Sequence, residues 1–117
     1  MMNNRVAIEY TETFEILLDQ LIGYLADYSS EVVVIEKIEQ LIERFEKVVT
    51  LDPEAVSVSP SRLELGIVTF REFHAGIFRI IYRLHPTKEQ TIVVDLIALQ
   101  KQDLEALLVQ YCLLYRR

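Results

Sequence analysis

REFHAGIFRIIYRLHPTKEQTIVVDLIAL, residues 71–99, decides the fold. It is apolar at a period of two and is broken twice by turn residues, first at Ala75-Gly76 and then at His85-Pro86-Thr87-Lys88-Glu89-Gln90. The segments between are read as strands. Extended backward, the first covers residues 64–74, with a glycine-marked bulge at Gly66 and a regular part over 66–74. The second is IFRIIYRL, residues 77–84. The third is TIVVDLIAL, residues 91–99, apolar enough for a central strand covered on both faces. Consecutive strands with short turns make an antiparallel meander.

Upstream the period is that of a helix. Phe14, Leu17, Leu18, Leu21, Ile22, Leu25 and Tyr28 recur at steps of three and four, with Asp19, Gln20, Tyr24 and Asp27 on the other side. Ser29 and Ser30 break the pattern. A second stripe then runs from Val34 through Ile38, Leu41 and Phe45 to Val49, predicting an antiparallel helix hairpin. Thr11 or Thr13 is placed to cap the first helix, above Glu12 and Glu15 in its first turn. Val6, Ile8 and Tyr10 alternate before it as a short strand, residues 5–10. That strand must join the sheet at an edge or in parallel to a member. Asp52-Pro53 ends the second helix, because proline disfavours helix at the residue before it. Near residues 101–103 a last helix begins, carrying Leu104, Leu107, Leu108, Tyr111, Cys112 and Tyr115 on one side. The order β-α-α-β-β-β-α predicts a two-layer α+β domain, residues 1–117, with the helix hairpin on one face of the sheet.

The composition narrows the chemistry. The lone Cys112 sits in the apolar run LLVQYCLLY, so neither a disulfide nor a multi-cysteine zinc site is expected. His74 and His85 have no second histidine or cysteine at ligand spacing. Gly23, Gly66 and Gly76 are isolated and build no phosphate cradle. No cofactor and no metal are expected. There is no apolar run long enough to span a membrane, and MMNNRVAIEY lacks a signal-peptide core, so a cytoplasmic address is expected. A net charge of −6 is awkward for docking on nucleic acid. The charge is uneven: residues 1–60 carry four basic and twelve acidic side chains, residues 61–117 eight basic and six acidic. Anion-contacting residues are therefore sought in the second half. They are Arg71, then Arg79 and Arg83, which share a face four residues apart, and Lys101; His74 is the candidate base. The alternative for the arginines is cross-strand ion pairing with Glu72 and Asp95.

The stretch from Arg71 to Arg83, REFHAGIFRIIYR, resembles the heart of the RelE/ParE toxin superfamily: an arginine-glutamate-apolar strand, a turn, then aromatic-arginine-apolar-apolar-tyrosine. The apolar strand that follows ends in a basic segment, here Ala98 to Asp103. The resemblance runs from Val6 to about Leu108 and implies a bacterial type II toxin, of a class tied to plasmid stabilization, wrapped by a cognate antitoxin. RelE-like members cut messenger RNA on the ribosome, and ParE-like members poison DNA gyrase. By this resemblance Arg79 matches the catalytic arginine of the RelE branch and Lys101 lies near its second basic position. The C-terminal catalytic tyrosine would fall near Leu107 or Leu108, with Tyr111 and Tyr115 one or two turns further on. Leu99 and Gln100 stand where a histidine often follows the last strand. The expectation is a non-catalytic ParE-like toxin with gyrase as target, using Arg71, Arg79, Arg83 and Lys101 toward target or antitoxin. The alternatives are an mRNA endonuclease using Arg71, His74, Arg79 and Lys101, or a degenerate antitoxin binder without toxicity. A homodimer or a toxin–antitoxin hetero-oligomer is expected, with no membrane partner and no sequence-specific nucleic-acid binding.

Overall fold

A computed structural model describes residues 6–52, 64–65 and 68–100. The chain runs β1 (Ala7–Tyr10), α1 (Glu12–Ala26), α2 (Glu31–Leu51), β2 (Glu64–Leu65), β3 (Val68–Thr69), β4 (Arg71–Ala75), β5 (Phe78–Leu84) and β6 (Thr91–Leu99). The helix expected after residue 100 lies outside the described residues, as do Lys101, Tyr111, Cys112 and Tyr115.

Local chemistry sets the helix ends. Thr11 is extended, and its Oγ1 accepts the Phe14 N–H at 3.0 Å. The same residue donates its own N–H to the Val94 carbonyl at 3.1 Å, so one side chain caps α1 and one backbone group fastens that cap to β6. Ser30 Oγ accepts from Val33 N at 3.2 Å at the start of α2. At the other end of α2, Asp52 is extended at φ −160°, as its place before Pro53 requires.

The main sheet has the order β1-β6-β5-β4. β1 lies parallel to β6 at one edge, with Ala7 opposite Thr91 and Tyr10 opposite Val94. β4–β5 and β5–β6 are antiparallel. β6 is buried along its whole length, on both alternating sets of side chains. It also carries a bulge: Ile81 opposes Leu96 but Tyr82 opposes Val94, so Asp95 is the extra residue. The bulge returns Val94 and Ile92 to the face that Ile97 and Leu99 occupy beyond it, which keeps one face apolar across the irregularity.

Both helices cover that face. Tyr10 shows it, since its ring meets Phe14 of α1 at 4.9 Å and its hydroxyl donates to Glu46 of α2 at 2.5 Å. Phe45, fully buried, sits edge-on to Phe73 and Tyr82 at 5.5 Å each. The two helices and the main sheet share one core.

The strand expected over 64–74 is divided. Glu64–Leu65 and Val68–Thr69 pair with each other as a separate two-stranded sheet, Leu65 opposite Val68, and only Arg71–Ala75 joins the main sheet. Gly66, read as a bulge, lies outside the described residues. In sequence, Gly66-Ile67 repeats the Gly76-Ile77 of the next hairpin, where Ala75 opposes Phe78 and Gly76 adopts φ +59°. A two-residue hairpin connection favours glycine at its first position. The β4–β5 turn is accordingly Gly76-Ile77, with Ala75 the last strand residue.

Candidate functional site

Register decides which of the basic residues meet. On β4, Arg71 and Phe73 point to the helix-covered face and Glu72 and His74 to the other. On β5, Arg79 and Arg83 share the face of Glu72 and His74. The alternation thus separates Arg71 from Arg79 and Arg83, and brings His74 directly opposite Arg79.

Glu72 is the centre of this group. Its side chain is only 2% exposed, and its Oε1 accepts from His74 Nε2 and lies 3.6 Å from Arg79 Nη1. The carboxylate neutralises Arg79 and fixes the ring of His74, which is 43% exposed. Further along the same face, Arg83 forks onto Asp95, Nε to Oδ2 at 2.9 Å and Nη2 to Oδ1 at 3.4 Å. Burial pushes the Asp95 carboxyl up, against the opposing pull of Arg83. Arg79 and Arg83 are each committed to a buried carboxylate, as the ion-pairing alternative supposed.

The other titratable groups serve the scaffold. His85 Nδ1 accepts the N–H groups of Thr87 and Lys88 at 3.1 and 3.0 Å, so this ring organises the β5–β6 loop. Lys88 Nζ reaches Glu9 Oε2 at 2.7 Å, ties that loop to β1, and by this hydrogen bond lowers the Glu9 carboxyl. Burial and the bond to Glu46 push the Tyr10 phenol well up, so it stays protonated and donates. Among the described residues, no three side chains converge as metal ligands, and no helix is long and apolar enough to cross a membrane.

A second feature lies at the end of the molecule where α1 stops and the β4–β5 turn begins. An open groove of 640 Å³ is lined by Tyr24, Leu25, Tyr28, Ile77, Leu99 and Gln100. Gln100 fastens β6 to the β4–β5 turn there, donating from N to the Ile77 carbonyl at 2.8 Å and from Nε2 to the Gly76 carbonyl at 2.5 Å.

Among solved structures, the chain is similar to one from the "Chromosomal ParDE TA system from P. aeruginosa": 14% identity, TM-score 0.61, covering 83% of this chain and 98% of that one. The fold is RelE/ParE-like. No family model and no curated protein matches the sequence.

Within this RelE/ParE-like fold the sequence reading named Arg71, His74, Arg79 and Arg83 but missed the groove. Tyr24 was assigned to the polar side of α1 and Tyr28 to its buried stripe. α1 ends at Ala26, and Tyr24 and Tyr28 are 48% and 75% exposed, with ring centroids 5.5 Å apart. Two tyrosines four apart at a helix end, beside a Gly-Ile turn, were the available signal.

Proposed function

We propose that this chain is a ParE-like toxin of a bacterial type II toxin–antitoxin system, forming one domain over residues 1–117, acting on DNA gyrase without catalysis and held inactive by a cognate antitoxin in the cytoplasm. The fold likeness to a chain of a ParDE system supports the toxin–antitoxin assignment. The observation that favours a non-catalytic role is the pairing of Arg79 with Glu72 and of Arg83 with Asp95. A scissile phosphate needs cations free to follow its developing charge. Here it would first have to displace a buried carboxylate, leaving that carboxylate uncompensated.

One observation favours a second reading, the mRNA endonuclease. His74 is partly exposed, oriented by a buried glutamate and set opposite an arginine. That is an arrangement able to take a proton from a 2′-hydroxyl. The purified protein is therefore assayed against gyrase supercoiling and against ribosome-bound messenger RNA. The ParE-like reading expects loss of supercoiling with the RNA intact, and His74→Ala without effect. Ribosome-dependent cleavage that falls about a hundredfold in His74→Ala would move the protein to the nuclease branch. Arg79→Ala is the poorer test, because it also removes the ion pair with buried Glu72.

A further inference from the structure

We infer that the β5–β6 loop is a pH-operated latch: a neutral His85 ring holds the loop against the edge strand β1, and proton uptake at its Nδ1 lets the strand go. The inference does not rest on the function proposed above. Backbone N–H groups can only donate, so the bonds from Thr87 N at 3.1 Å and Lys88 N at 3.0 Å fix Nδ1 as an acceptor. A proton on Nδ1 turns that acceptor into a donor and ends both bonds at once. The Thr87 hydroxyl, 3.5 Å away, lies at the limit of hydrogen-bonding reach. Histidine is the side chain that changes charge between about pH 5 and 8, so the two bonds are present while the ring is neutral and are lost as pH falls through that range.

What the ring organises is joined to β1 and held in an uncommon conformation. Gln90, the last residue of the loop, sits at φ +54°, a left-handed backbone that residues with a side chain seldom adopt. Its carbonyl accepts from the N–H of Ala7, the first residue of β1, at 2.7 Å. At the base of the loop His85 N donates to the Thr91 carbonyl at 2.9 Å, and Thr91 Oγ1 donates to the Glu89 carbonyl at 3.0 Å. Lys88, whose N–H bonds the ring, sends Nζ to Glu9 of β1 at 2.7 Å. Two bonds from the loop to β1 thus depend on one loop conformation, and His85 Nδ1 accepts two of the bonds that define it. The charged side chains on the elements around the ring are Lys88 and Glu89 on the loop, Glu9 on β1, Arg83 on β5 and Asp95 on β6. Arg83 and Asp95 engage each other. Glu9 attracts a charged ring and Lys88 repels it, and these two are exposed and already paired. The loss of the two backbone bonds is therefore the main consequence of proton uptake.

The test uses the full chain, isotope-labelled for NMR, and follows the His85 ring from about pH 7.5 to about pH 5. Amide protection is read at Thr87, Lys88 and Ala7 at the two ends, corrected for the intrinsic pH dependence of exchange. Protection of Thr87 and Lys88 is expected to fall about fivefold along the titration curve of the ring, and that of Ala7 about twofold. His85→Asn keeps a short side-chain acceptor that bonds the backbone two residues on, and is expected to hold the loop equally at both pH values. His85→Ala is expected to leave it open at both. A ring still neutral at the lower pH, or protection of Thr87 and Lys88 unchanged while the ring titrates, overturns the inference. Loss at Thr87 and Lys88 with Ala7 unmoved also overturns it, because the loop would then open without β1. So does a pH response that survives in His85→Asn, which would belong to another group, such as Glu9.

Discussion

Arg83 and Asp95 are a pair whose value lies in what either would cost alone. Arg83→Ala leaves a buried carboxylate facing no cation and is expected to destabilise the fold by about 3 kcal/mol at pH 7. Burial already holds Asp95 above its unfolded value, so its folded form costs stability as pH rises past about 4, the ordinary aspartate range. Removing Arg83 enlarges that cost. Below pH 4 the carboxyl is protonated in both states, and the penalty of Arg83→Ala is expected to shrink. Urea unfolding at the two pH values checks it, and an equal penalty at both would contradict it. Tyr10 gives the mirror test at the alkaline end. Its folded phenol keeps its proton above the unfolded value, so stability is full below about pH 10 and falls above it. Tyr10→Phe is expected to flatten that alkaline loss while giving up about 1 kcal/mol from the bond to Glu46, as measured by unfolding at neutral pH.

At the level of elements, the helices were the most legible part of the sequence, because a stripe such as Val34, Ile38, Leu41, Phe45 and Val49 reports its own buried face. The caps were legible to within a residue or two, Thr11 or Thr13 for α1 and the Ser29-Ser30 break before α2, because the chemistry is local; the structure uses Thr11 and Ser30. The span of β6 was also read correctly, since nine successive buried residues leave no other length for it. What could not be read was pairing. That residues 64–65 and 68–69 pair with each other and leave only β4 to the main sheet depends on which backbone groups meet, and the side chains there carry no record of it. The same holds for Asp95, whose bulge sets the face of half a strand yet looks in sequence like one polar residue in an apolar run. The Glu72–His74–Arg79 group was partly visible, because His74 and Glu72 share a face by period; that Arg79 lies across from His74 needs the register of the hairpin. Two substitutions test this level. Gly76→Ala forces a side chain into φ +59° and is expected to cost about 1.5 kcal/mol in thermal or chemical unfolding, although nothing lies within 4 Å of the added carbon. Phe45→Ala empties the contact with both Phe73 and Tyr82 and is expected to cost about 4 kcal/mol, with the loss of near-ultraviolet signal from the core.

At the scale of the whole molecule, charge and shape are divided along the chain. The two helices hold eight of the eighteen acidic side chains, the meander holds the paired arginines, and the groove lies where the two halves meet. The parallel pairing of β1 with β6 has a further consequence, during synthesis. Ala7–Tyr10 leaves the ribosome well before the strand it must lie beside, Thr91–Leu99. Until that late segment emerges, the helix hairpin has no sheet to cover, and Phe14, Leu17 and Phe45 remain open to chaperones and proteases. A nascent chain stalled before residue 91 has emerged should be cut readily in the hairpin, and one stalled after residue 99 has cleared the tunnel should resist. The translating cell thus has an interval in which the polypeptide exists and its activity does not.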